Sequence, residues 1–180
     1  VWLIWNKGMI ADKAYKVRHI IWIYIYLFYG YLAVQEAAGI GTIWDLIAYG
    51  KLDNSINLIP FSSEGAMTYI LNIIMFMPLG FLLPLIWKNF RNAKKVVLMG
   101  FLMSLAIEIC QLFNIRTTDI DDLMMNTLGT LVGYCCWKVF SLIFRNAGTK
   151  CVEMKKSEPV IYMFGGILGL FLLYNWRVFN

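Results

Sequence analysis

Residues 66–87 read AMTYILNIIMFMPLGFLLPLIW, 22 positions without a charged side chain. A helix needs roughly 20 predominantly apolar residues to cross a bilayer. Working outward, residues 17–38, 96–114, 123–144 and 160–176 have the same character. None of these runs alternates strictly, and all are too long for barrel strands. Composition agrees: 60% of the 180 residues are hydrophobic and 15% are charged, against about 45–50% and about 25% in soluble domains. A soluble chain of this length has no core large enough for that surplus, so a bilayer must take it. The expected fold class is all-α, a polytopic transmembrane bundle of about five spans. It forms one domain over residues 17–180, behind a cytoplasmic leader over 1–16. No cleavable signal peptide is evident, because charge follows the short apolar run Val1 to Trp5 rather than preceding it.

Charge orients the bundle. Lys7, Lys13, Lys16 and Arg18 precede the first span, and Lys88, Arg91, Lys94 and Lys95 join the second to the third. Lys138, Arg145, Lys150, Lys155 and Lys156 follow from the fourth. The two remaining connections are acidic: Glu36, Asp45, Asp53 and Glu64 stand against Lys51, and Asp119, Asp121 and Asp122 against Arg116. The positive-inside rule makes the basic side cytoplasmic, with the N-terminus inside. This distribution, rather than the net charge of +5, decides the partner class. It points to a membrane and away from nucleic acid.

The first outer connection holds Ile43, Leu46 and Ile47 at helical spacing, with Thr42 and Asp45 placed as a capping box. A short interfacial helix is expected there. Pro60 then ends helix and biases Ile59 to extended geometry, and the apolar run Asn57 to Phe61 is expected to pack against protein. Pro78 and Pro84 should kink the second span. Gly129 with Gly133, and Gly165 with Gly169, are spaced for close helix approach. Cys110, Cys135 and Cys136 read as free buried thiols, and His19 as an interfacial residue.

Polar groups within spans are expensive and mark functional candidates. At about 1.5 Å per residue, Asn72 and Glu108 lie roughly 9 Å inside the outer ends of their helices, and Gln111 and Asn126 roughly 5 Å. Glu108 and Gln111 are three apart, and Asp122 and Asn126 four apart, so each pair shares a face. Three helices therefore contribute to one polar layer, with Arg116 and Asp119 in the adjoining loop. Arg116 offers a donor fork for phosphate or carboxylate. Glu108 is the candidate acid or base, and Asp119, Asp121 and Asp122 are candidates for a hard divalent cation. No other cofactor is evident, and neither a nucleophile nor a standard catalytic set is visible. The same residues also have a structural reading. Asp119 or Asp121 caps the fourth helix, Arg116 neutralises Glu108, and the amides bond helices together.

The residues that form this layer resemble the VanZ-like family. The strings are Asn57-Leu58-Ile59-Pro60-Phe61, NIIMFMPLGFLLP over 72–84, Glu108-Ile109-Cys110-Gln111, Arg116, DIDDL over 119–123, Asn126-Thr127-Leu128-Gly129 and Gly133-Tyr134. The resemblance covers roughly 56–140, with little in the first or fifth span. It implies a multi-pass protein of the bacterial cytoplasmic membrane that lowers susceptibility to glycopeptide antibiotics, teicoplanin and other lipid-tailed ones above all, without altered peptidoglycan precursors. Two readings of the layer follow. It engages an amphiphile, either a lipoglycopeptide or a lipid-linked wall precursor, with Asn57, Asn72, Glu108, Gln111, Arg116, Asp119, Asp122 and Asn126 as binding residues. Alternatively it is an intramembrane enzyme acting on a phosphorylated lipid head group through Mg²⁺ or Ca²⁺. A transporter is disfavoured by the lack of a repeat and of polar groups in the inner half. Oligomeric state is not legible.

Overall fold

The computed structural model describes residues 13–38, 56–61, 65–111, 118–144 and 157–174. Arg116, the expected interfacial helix around Thr42–Asp45, residues 1–12 of the leader and Cys151 lie outside the described residues. The fold is all-α. Its helices are α1 (Lys13–Ala38), α2 (Ala66–Ile86), α3 (Ala93–Gln111), α4 (Ile120–Ile143) and α5 (Glu158–Tyr174). A one-turn 3₁₀ segment, Lys88–Phe90, joins α2 to α3. Each apolar stretch read from the sequence is helical, with edges within a turn of those expected. The segments over Val17–Gln35 and Ala66–Ile86 are long and apolar enough to cross a membrane, and Glu158–Leu173 is a shorter apolar helix. Both α3 and α4 carry charges toward their ends, Lys94, Lys95 and Glu108 on one and Asp121, Asp122 and Lys138 on the other.

Glycine sets the packing of α2 on α4. A Cβ at Gly133 would run into the Met77 carbonyl, one at Gly129 into that of Ile73, and one at Gly80 into that of Thr130. Small residues thus bring the two backbones together from both sides, the packing mode open to helices that gain nothing by burying apolar groups away from lipid. The Gly165–Gly169 pair behaves differently from expectation. A Cβ at either position would meet nothing within 4 Å, so among the described residues that pair brings no helices together.

Around the α2–α4 pair, Phe76, Leu79, Leu83, Met103 and Ile107 are buried with Ile23 of α1. Both Pro78 and Pro84 lie inside α2, which remains one helix through them. Pro78 has no N–H for the Ile74 carbonyl, and on the next residue the Tyr29 hydroxyl donates to the Met75 carbonyl at 2.8 Å, tying α1 to α2 beside the proline. The outward faces stay apolar: Ile21, Phe28, Ile70, Ile74, Leu142 and Leu173 are all exposed. So many large apolar side chains on the outside are in keeping with a membrane-associated protein. Cys110, Cys135 and Cys136 are free, as expected, but Cys135 and Cys136 are exposed rather than buried.

At the basic end, Asn92 starts α3 by accepting the Lys94 N–H on its side-chain oxygen at 2.9 Å, a regular N-cap. Tyr134 donates to the Arg91 carbonyl at 3.2 Å, and the Arg91 guanidinium lies 5.8 Å from the Trp137 ring centre. His19 is buried here rather than interfacial. Its Nε2 is 3.4 Å from Glu158 Oε2, and the Trp87 indole donates to the same oxygen at 2.8 Å. Three helix ends thus converge on one carboxylate in the first turn of α5. Glu158→Ala would leave the Trp87 indole without its acceptor and His19 without the carboxylate beside it. A buried donor stripped of its partner costs about 1–3 kcal/mol, so the thermal midpoint in detergent should fall clearly, while Glu158→Gln should lose less.

Candidate functional site

At the opposite end of the bundle, chain segments distant in sequence are stitched together by carboxylates. The two-residue strands β1 (Ile56–Asn57) and β2 (Thr118–Asp119) pair in parallel, Ile56 opposite Thr118 and Asn57 opposite Asp119. Asp119 is the N-cap of α4, its side chain accepting the Asp121 N–H at 3.0 Å. It also accepts from the Asn57 amide at 3.1 Å. Asp121 is fully buried. Both its oxygens lie 2.9 Å from the Phe61 N–H, and the Tyr69 hydroxyl donates to it at 2.9 Å. Asp122 accepts from the Asn72 amide. Each aspartate therefore has its own neutral donors, and the N-terminal turn of α4 favours the negative charge.

The turn over residues 58–61 corrects one expectation. Leu58, Ile59 and Phe61 are exposed, not packed against protein. Its backbone is satisfied by polar side chains instead: the Ile59 N–H donates to Asn57 Oδ1 at 3.1 Å, and the Phe61 N–H to Asp121. Phe61 has φ of 61°, a left-handed conformation that a bulky residue rarely adopts. Its ring meets Tyr69 edge-on with centroids 5.9 Å apart. A strained residue with an exposed ring contributes little to folding. Phe61→Gly should therefore hold or raise stability, by up to about 1 kcal/mol from relief of the backbone strain. Thermal unfolding of the variant beside the wild type checks this.

Behind the aspartates lies the rest of the predicted layer. Glu108 and Gln111 are buried on the last turn of α3, and Asn126 on α4. The Asn126 amide donates to Ser104 Oγ at 3.0 Å, and Thr130 donates to the Asn126 carbonyl at 3.0 Å. Asn126 Oδ1 and Thr118 Oγ1 are buried polar atoms with no hydrogen-bond partner among the described residues. The structure thus links Asn57, Asp119 and Asp121 by direct bonds and pairs Asn72 with Asp122 on the same turn of α4. It buries Glu108, Gln111 and Asn126 on the adjoining turns of α3 and α4. Among the described residues no group of three or more His, Cys, Asp or Glu side chains is arranged to hold a metal ion. Tyr69 and Ser104 take part although the sequence reading did not select them. Tyr69 lies three residues before Asn72, and Ser104 four before Glu108, so helical phase carried that signal.

A family model described as VanZ/LLP1 matches residues 20–143, which include α1 through α4 almost entirely and every residue of this network. This chain belongs to the VanZ family. It is 34% identical over 134 residues to Protein VanZ of Enterococcus faecium, covering 73% of this chain and 77% of that one. The match reaches further toward the N-terminus than the resemblance over 56–140, taking in most of α1, and it ends before α5. No solved structure matches.

Proposed function

We propose that this VanZ-family protein lowers susceptibility to glycopeptide and lipoglycopeptide antibiotics such as teicoplanin by engaging an amphiphile at its acidic and amide layer. The amphiphile is the lipid-tailed antibiotic or a lipid-linked wall precursor. One observation carries the reading. A buried layer of carboxyl and amide groups adjoins an exposed apolar turn, Leu58 to Phe61, and Asp121 ties the two together. A polar head with an apolar appendage is the ligand chemistry that suits such a junction. The unmet acceptor at Asn126 Oδ1 adds a site for a donor on the head group, and family membership agrees. Arg116, four residues before Ile120, supplies the cation of the same reading.

In this proposal the chain spans the cytoplasmic membrane five times with its N-terminus inside, so the layer faces the outer leaflet. The supporting features are the basic turn Lys88–Lys95 at one end and the aspartates at the other. Alkaline phosphatase fused after residue 61 should be active and after residue 91 inactive; the reverse would overturn the orientation. For function, a glycopeptide-sensitive bacterium expressing the chain should tolerate more teicoplanin than one carrying the empty vector. It should lose that margin on Glu108→Ala combined with Arg116→Ala at equal protein abundance. Unchanged tolerance in the double variant would sink the reading.

A further inference from the structure

A second site lies away from the polar layer. Between α1 and α5, floored by Leu79 of α2 and Met103 of α3, is a cavity of about 200 Å³. Tyr26, Gly30 and Val34 line one wall and Gly166, Ile167 and Leu170 the other. No charged residue lines it. The space beside Gly30 and Gly166 is open here: a Cβ at either would meet nothing within 4 Å, unlike the glycines of α2 and α4. Tyr26 is almost fully buried, yet its hydroxyl has no hydrogen-bond partner among the described residues. A buried hydroxyl beside an otherwise apolar cavity is expensive unless a partner arrives.

We propose that this groove is a binding site for a single acyl chain of a bilayer lipid, with Tyr26 donating to the lipid's ester carbonyl. The placement in the membrane proposed above is assumed; the polar layer is not. Size bounds the occupant. Pockets for drug-sized ligands run to about 300–1,000 Å³, and a cavity of about 150 Å³ accepts one benzene. A groove of about 200 Å³ therefore takes a stretch of one chain and is too small for a glycopeptide's peptide core. Position decides the source. Gly30 lies near the middle of α1, and α1, α2 and α5 are the apolar helices, so the occupant enters from hydrocarbon. The α5 wall lies beyond the residues that the family model matches.

The test uses the full chain in phosphatidylglycerol vesicles doped with a lipid carrying a diazirine on one acyl chain. After illumination, adducts should concentrate on Tyr29, Tyr162, Met163 and Leu170. Gly30→Leu with Gly166→Leu should remove most of them, leaving those on outward-facing Leu168 and Leu172 and an unchanged thermal midpoint. Native mass spectrometry in detergent should show retained lipid on the wild type and its loss in Tyr26→Phe. Equal adduct yield over all lipid-facing residues, no change in the double variant, or adducts linking two copies of the chain would overturn the proposal. Lipid retained undiminished by Tyr26→Phe would overturn the role of the hydroxyl. Antibiotic tolerance is a separate readout, so failure here is distinguishable from failure of the polar-layer reading.

Discussion

Asp121→Ala is expected to unpin the turn over residues 58–61 and to abolish function. Asp121 has no exposed surface, and it holds the Phe61 N–H and the Tyr69 hydroxyl together. A hydrogen bond to a charged acceptor contributes about 1.5–3 kcal/mol, so losing two should cost on the order of 3 kcal/mol or more. The turn also carries the left-handed Phe61. Without its acceptor the Phe61 backbone has no reason to remain at φ of 61°, and relaxation carries Leu58 and Ile59 away from the layer. Asp121→Asn keeps the shape and one acceptor oxygen, so it should retain part of the stability. Thermal unfolding in detergent reads the stability, and limited proteolysis near residues 57–65 reads the turn. An alanine variant with wild-type melting and no new cleavage would show that this carboxylate is not the pin.

Gly133→Leu should prevent the bundle from forming. A side chain at Gly133 meets the Met77 main chain, not another side chain. Overpacking usually costs about 1–3 kcal/mol because side chains can shift; a helix backbone cannot turn aside, so the loss should exceed that range. The α2–α4 contact positions Asn72 opposite Asp122, and the layer should be lost with the fold. Gly165→Leu is the matched control: that position is open, and a change there should stay within about 0.5 kcal/mol. The yield of monodisperse protein on size-exclusion chromatography separates the two. Equal recovery of both variants would mean the close approach of α2 and α4 is not required.

The helices were legible because uninterrupted apolar runs of this length have few alternatives, and helix ends fell where charge resumes. The polar layer was legible for the same reason: Glu108, Gln111 and Asn126 are conspicuous in apolar surroundings, and a rise of 1.5 Å per residue gives their depth. Partners were harder to read. That Asp121 serves a backbone N–H 60 residues away, and that Asn57 sits opposite Asp119, are tertiary facts with no local pattern. The turn at 58–61 was misjudged because its apolar side chains suggested packing, while its backbone is satisfied by Asn57 and Asp121. His19 was misplaced for a similar reason. A lone histidine near a helix end reads as interfacial until Glu158, nearly 140 positions later, is seen beside it. The two glycine pairs have identical spacing, and only the neighbouring helix distinguishes Gly129–Gly133 from Gly165–Gly169.

The account rests on the layer formed by α2, α3 and α4 being a head-group site rather than internal glue. Binding of labelled teicoplanin and of a polyprenyl-phosphate lipid to purified protein, wild type beside Glu108→Gln, tests this most directly, provided both melt alike. The account predicts saturable binding of at least one probe by the wild type, weakened about tenfold or more, equivalent to about 1.4 kcal/mol, in the variant. Binding of neither probe, or equal binding by both proteins, would contradict it.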